Sequence, residues 1–238
     1  MNSRLDSNRI LYEDNHLIVI NKLSSEIVQG DKTGDRPLCD AVKEYIKERD
    51  SKPGNVFIGI PHRLDRPTSG IVIFAKTSKA LSRMNALFRD GGVKKTYWAV
   101  IYGCPEKTGD TLTQYLLRDR KQNKSFVVKP GTKEAKEASL SYRVLCSTGR
   151  YALVEVDLHT GRHHQIRVQL STLGYPVKGD LKYGAARSNP GGGIHLHARR
   201  VRFVHPVSGK DLELTAPVPE NDKLWRVLEE DIRHIRRS

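Results

Sequence analysis

The sequence predicts an α+β fold, with a mixed, mainly antiparallel sheet and flanking helices. Short segments with apolar residues at alternate positions come in pairs around turn residues, as in antiparallel hairpins. Between them lie segments with apolar residues at three- and four-residue spacing, as in helices packed by one face. No internal repeat is present, which sets solenoid architectures aside.

Near the N-terminus, Ile10-Leu11 and Leu17-Ile18-Val19-Ile20 read as strands around the turn-like Glu13-Asp14-Asn15. Residues 24–36 are polar and loop-like. Leu38, Val42, Tyr45 and Ile46 then mark an amphipathic helix, with Pro37 suited to its first turn. Residues 56–60 (Val-Phe-Ile-Gly-Ile) read as a short apolar strand and Ile71-Val72-Ile73-Phe74 as another. The polar stretch from Pro61 to Gly70 separates them. Thr77 to Arg89 is expected to be a helix with Leu81, Met84, Leu87 and Phe88 inward, ended by Gly91-Gly92. Lys95 to Tyr102 and Leu153 to Leu158 alternate like strands, and Arg118 to Lys136 reads as an exposed hairpin or loop. Ile166, Leu170 and Leu173 suggest a helix. Ala198 to His205 and Asp211 to Thr215 make a hairpin around Ser208-Gly209, and Leu224, Leu228, Ile232 and Ile235 mark a terminal helix.

The 238 residues suit one globular unit, 1–238, ending in a helix over 220–238. Lys and Arg number 41 against 27 Asp and Glu, a formal charge of +14 that points to a polyanionic partner. No apolar run approaches the roughly 20 residues of a membrane span, and the first ten residues lack a signal-peptide core. Three separated cysteines, Cys39, Cys104 and Cys146, make neither a disulfide framework nor a metal knuckle. A reducing cytoplasm is the expected compartment.

Five features could carry chemistry. Asp65 sits among Arg63 and Arg66 between apolar strands. It suits a nucleophile, base or anchor, and equally a turn-forming cap. Arg167, in Gly161-Arg162-His163-His164-Gln165-Ile166-Arg167, lies about 100° off the stripe of Ile166, Leu170 and Leu173. There it could pair with a carboxylate and hold it ionised, or be solvated. Tyr97, among Lys94 and Lys95, could stack on an unpaired base or be a core tyrosine. From Arg162 to Arg202 eight basic residues face one acid, Asp180, an imbalance that suits phosphate. His163-His164 and His195-Leu196-His197 allow a metal site, but no Cys cluster or HExxH accompanies them. Polar or RNA-facing histidines are the expected account, with no metal.

Taken together, these segments resemble the RluA-type RNA pseudouridine synthases. Pro61-His62-Arg63-Leu64-Asp65-Arg66-Pro67-Thr68-Ser69-Gly70 is similar to that family's signature, and Lys95-Thr96-Tyr97-Trp98-Ala99-Val100 to its second motif. Gly161-Arg162-His163-His164-Gln165-Ile166-Arg167-Val168 is similar to its third. His195-Leu196-His197-Ala198 and Thr215-Ala216-Pro217 fit its closing pattern. The motifs keep the family's order from about Ile10 to Pro219.

The resemblance implies a pseudouridine synthase-like core over about 10–219 and an isomerase that converts uridine in tRNA or rRNA to pseudouridine. Asp65 would be the nucleophile, Arg167 its salt-bridge partner, and Tyr97 the residue packed on the target uracil. Arg63 would enter the RNA where the base is flipped out. His62, Arg66, Arg162 and His164 would also meet RNA. No metal or organic cofactor and no protein partner is implied, and a monomer is expected.

Many relatives carry an S4-type RNA-binding domain ahead of this core, whereas this sequence begins in the core itself. Recognition by the core surface alone is expected, which tilts the target toward tRNA or a small stem-loop. The family's Lys-Pro-x-Gly reads here as Lys22-Leu23-Ser24-Ser25, a departure that bears on loop conformation. Two rivals remain. A non-catalytic RNA binder gains nothing from an acid that repels phosphate, and a histidine or metal nuclease gives Asp65 no role.

Overall fold

The computed structural model describes residues 5–235, the side chains of Arg233 and Ile235 excepted. The ends of the expected 1–238 unit and the inward placement of Ile235 lie outside the described residues. In chain order the strands and helices are β1 (Ile10–Glu13), β2 (Leu17–Lys22), α1 (Leu38–Arg49), β3 (Ser69–Ala75), α2 (Ser78–Arg89), β4 (Lys94–Tyr102), β5 (Gly109–Asp119), β6 (Lys124–Val128), β7 (Lys136–Ser147), β8 (Tyr151–Leu158), α3 (Gln165–Thr172), β9 (Leu196–Val204), β10 (Asp211–Thr215) and α4 (Lys223–Ile235). A 3-10 turn spans Leu181–Tyr183. The chain forms two compact units, residues 1–93 with 200–217 and residues 94–199 with 218–238. No described helix is long and apolar enough to cross a membrane.

In the first unit, the Asp14 carboxylate accepts the amides of His16 and Leu17, closing the β1–β2 turn. β2 runs antiparallel to β3, from Leu17 opposite Ala75 to Lys22 opposite Gly70. Leu17 to Ile20 and Val72 to Ala75 are fully buried. Both faces of this pair are covered, so the sequence reads as continuous apolar runs rather than alternation. β9 and β10 form the expected antiparallel hairpin, Thr215 opposite Arg200.

Thr77 caps α2 by accepting the Ala80 amide. The helix ends where Gly91 turns left-handed and the Gly92 amide reaches the Leu87 carbonyl. Pro37 stands one place earlier than expected, as the N-cap of α1. Residues 56–60 do not form the expected strand. Only Gly59 bridges, to Ala75, and a β-carbon on Gly59 would lie 2.7 Å from Leu81 Cδ2, so α2 comes down where a neighbouring strand's side chains would sit.

In the second unit the antiparallel order is β4-β8-β7-β5-β6. The expected hairpin near Arg118 is the turn between β5 and β6. The strands on either side of residues 118–136, β5 and β7, escaped the sequence reading because exposed Thr, Ser and Glu positions dilute their alternation. α3 departs from the one-face expectation: Gln165 to Leu170 are all buried, whereas Leu173 is exposed at its C-cap. Gln169, fully buried, donates to the carbonyls of Leu112 and Ala138 and so is accommodated among apolar neighbours.

α4 docks through Trp225, Leu228 and Ile232 against Trp98, Val100 and Leu153. Asp222 caps it by accepting the amides of Leu224 and Trp225. The Arg199–Glu229 ion pair fastens its middle, with the Arg199 guanidinium 4.2 Å from the Trp98 ring centroid. Because Trp225 is 2% exposed at the centre of this cluster, Trp225→Ala is expected to destabilise the protein by about 3–5 kcal/mol. Urea denaturation of both proteins measures this, and a loss below about 1 kcal/mol would show that α4 docks without its tryptophan anchor.

Candidate active site

Asp65 lies in the first unit on a tight turn that leads into β3. The Thr68 amide donates to the Asp65 carbonyl at 3.0 Å and closes the turn. Its apex is held from outside. The Arg66 carbonyl accepts the Ser25 amide at 2.9 Å and Lys22 Nζ at 3.1 Å, and the same ammonium donates to the Leu23 carbonyl at 2.8 Å. Lys22 is fully buried. Burial pushes its pKa down to about 7, against the pull of the Glu26 and Asp65 carboxylates, while Arg9 and Arg66 add to the fall. The β2–β3 register puts Lys22 opposite Gly70, at the end of the motif that carries Asp65.

Lys22 belongs to the site and was not among the candidates expected from sequence. A lone lysine after an apolar strand looks solvated, and only the Lys-Pro-x-Gly correspondence marked it.

Of the arginines beside Asp65, Arg63 is exposed, and Arg66 reaches Asp35 at 2.6 Å across the surface. His62 is partly buried, stacks on Phe88 with ring centroids 4.6 Å apart, and accepts the Ile73 amide at Nε2. That nitrogen serves the fold.

The second unit holds Tyr97 and Arg167. Tyr97 is 9% exposed on β4, opposite Val156 of β8. Strand alternation puts Lys95 on the same face, and burial lowers the Lys95 pKa. Arg167 is buried on α3, where the sequence suggested a boundary position. Its Nε and Nη2 donate to the Asp180 carboxylate at 2.6 and 2.8 Å, with both side chains at most 5% exposed. The guanidinium carbon stands 5.0 Å from the Tyr183 ring centroid.

The Tyr183 hydroxyl accepts the Ser125 amide of β6 and bridges to His164 Nδ1, each near 2.9 Å. His164 adopts a left-handed backbone, φ 55°, at the N-cap of α3. It is buried, and that burial, with the charge of Arg167 next, drives its pKa down to about 2. The surface role expected of His164 gives way to an interior one: the ring is neutral and braces Tyr183. Arg162 is exposed and donates to the Glu137 carbonyl.

His195 and His197 are also interior, with exposures of 1% and 0%, so of the two expected roles, polar or RNA-facing, they take the polar one. His195 Nε2 lies 3.1 Å from Asp222 Oδ2, Nδ1 faces Asn189, and the ring stacks on Trp225. Among the described residues no group of three or more His, Cys, Asp or Glu side chains is arranged to hold a metal ion.

The first unit holds a carboxylate on a lysine-braced turn, and the second a buried tyrosine and an arginine fixed by a buried carboxylate. A profile of the RNA pseudouridylate synthase family matches residues 16–172, and the chain belongs to that family, whose members are isomerases.

A Synechocystis protein described as an uncharacterized RNA pseudouridine synthase is 33% identical over 88% of this chain and 65% of its own length. The ribosomal large subunit pseudouridine synthase D of Zymomonas mobilis is 31% identical over 90% of the chain and 70% of its own length. The chain thus spans about two-thirds of these relatives. Among solved structures, human RNA pseudouridylate synthase domain containing 4 superposes with a TM-score of 0.78 at 25% identity, covering 95% of this chain and 94% of that one.

The lowered Lys22 pKa gives a signed expectation. In the unfolded chain a lysine titrates near about 10.4. Between pH 7 and that value, unfolding takes up a proton and stability rises with pH, by up to about 1.4 kcal/mol per unit. Lys22→Met lacks this increment, so the difference in urea midpoints between wild type and variant should grow in favour of wild type from pH 7 to 9. Parallel pH dependences would show that Lys22 is charged in the folded protein throughout.

Proposed function

We propose that this protein isomerises specific uridines in RNA to pseudouridine, with both units acting as one catalytic domain. The observation that carries the reading is Asp65. A carboxylate stands among arginines in a chain of net charge +14, on a turn braced by a buried lysine. A protein that only binds RNA is weakened by such a group, whereas the isomerisation requires one.

The reaction breaks the N1–C1′ bond, forms C5–C1′, transfers the C5 hydrogen to solvent and returns a proton to N1. The target base must first leave its stack. Arg63, exposed beside Asp65, supplies a flat guanidinium to occupy the vacated space. Asp65 acts as the nucleophile, either on the ribose through a glycal or by forming a covalent adduct. Arg167 is the catalytic cation. Tyr97 packs on the uracil while it turns, and its hydroxyl assists removal of the C5 proton. Arg66 and Arg162 meet the phosphate backbone. The chemistry calls for no metal, redox group or organic cofactor.

The name of the Zymomonas relative supports large-subunit rRNA as the first RNA to assay, with tRNA second. The proposal extends to a cytoplasmic monomer that acts without a protein partner.

Tritium release from RNA labelled at uridine C5 tests this reading. Wild type should release tritium in EDTA, and Asp65→Asn should lose activity by roughly 10⁴-fold or more. Release by neither, with unmodified rRNA and tRNA both supplied, would favour the non-catalytic RNA binder. Tyr97→Phe keeps the stack and loses the hydroxyl, so turnover should fall by roughly 10²-fold with little change in binding. Unchanged kinetics would limit Tyr97 to packing. If about four basic side chains meet phosphates of an unpaired strand, affinity should drop roughly 50-fold between 50 and 200 mM salt. A flat response in a filter-binding titration would remove the phosphate contacts.

A further inference from the structure

We propose that Asp180 is a positioning residue for this reaction, holding the Arg167 guanidinium in the one orientation in which it serves catalysis. The proposal rests on the assignment of Arg167 as the catalytic cation. Asp180 is the single acid among eight basic residues between Arg162 and Arg202. It is not solvated among them but 1% exposed, with both carboxylate oxygens on Arg167.

A guanidinium has five N–H donors in a plane. Asp180 engages Nε and Nη2. The Nη1 group and the second Nη2 hydrogen point along the adjacent edge, which is a second fork of the kind a carboxylate accepts. A carboxylate bound to two donors of the fork fixes the guanidinium's rotation as well as its position.

Asp180 is itself fixed. Its amide donates to the Val177 carbonyl, and its carbonyl accepts the amides of Tyr183 and Ala185, each at 3.0 Å. Gly179 before it stands at φ +87°, and a β-carbon there would come within 2.3 Å of the Asn189 side chain, so the backbone approach to Asp180 requires glycine. Tyr183 lies against the guanidinium and is pinned at its hydroxyl by Ser125 and His164. Stability alone does not demand this arrangement, because a buried ion pair is often replaceable by apolar residues at no cost. What apolar residues cannot supply is a guanidinium of fixed orientation, and misplacing such a group by about 1 Å can cost roughly 10²-fold in rate.

The test uses the full chain and tritium-labelled RNA. Asp180→Asn keeps the shape but sets an amide N–H against the arginine donors. The single-turnover rate should fall roughly 10²-fold, with RNA affinity within about threefold of wild type, a split that general loosening of the fold would not produce. In an Arg167→Lys background the same change should cost less than about threefold more, because Asp180 acts through Arg167. If thermal melts show that Asp180→Asn does not fold, Asp180→Glu is read instead. It keeps the charge, displaces the fork and should show the same split.

A folded variant with wild-type rate, equal losses in rate and affinity, or full additivity with Arg167→Lys overturns the proposal. A wild type that releases no tritium removes the functional reading and this proposal together. An active wild type, an inactive Asp65→Asn and an unaffected Asp180 variant remove this proposal alone.

Discussion

The grip of Lys22 on the carbonyl of Arg66 is the constraint on which the turn bearing Asp65 depends. It follows from strand register. β2 and β3 are buried on both faces, and a slip of one residue would exchange every side chain between them. The register that satisfies this packing delivers the last residue of β2 to Gly70, where the motif loop meets the sheet. An amine is thereby drawn out of water, and the loss of hydration it suffers is only partly offset by two carbonyls and two nearby carboxylates. The turn bearing Asp65 is rigid because the packing of the strands behind it is.

The second unit solves the same problem with different parts. There the buried cation is an arginine, whose hydration is replaced by a buried carboxylate and an aromatic ring. α3 is covered nearly all round, so the polar groups it carries must find partners inside. Gln169 finds two carbonyls, and His164 finds a tyrosine hydroxyl. Around Tyr183 the polar groups are joined, the condition under which they support a unique structure, whereas Gln169 Oε1 is buried without a hydrogen-bond partner among the described residues.

Much of this was legible in the sequence, and what was missed has physical causes. The helices at Leu38, Ser78 and Lys223 and the hairpin of β9 and β10 follow from periodicity and turn chemistry. The motif around Asp65 stood out because an acid between apolar runs is unusual. The strand expected at residues 56–60 failed because an apolar run can pack by side chains without pairing its backbone. β5 and β7 were hidden by polar outward positions. Arg167 was placed at a boundary because a stripe model assumes one exposed face, and α3 has almost none. Asp180 was noticed only as an exception in a basic stretch. His164 was assigned to the surface because sequence carries no record of a buried partner. The groups read wrongly are those whose environment is made by residues distant in the chain.

The Tyr183 bridge bears on more than the arginine beside it. β6 ends the strand order of its unit, and a terminal strand offers its backbone to any passing segment of extended chain. Here the Ser125 amide is already spent on the tyrosine hydroxyl, and Lys182 covers the carbonyls of Gln122 and Asn123 at the adjoining turn. Lys124 adds a charge over the neighbouring Phe126 ring. The contacts that steady the interior of α3 therefore also close a sheet edge against the strand addition that begins aggregation.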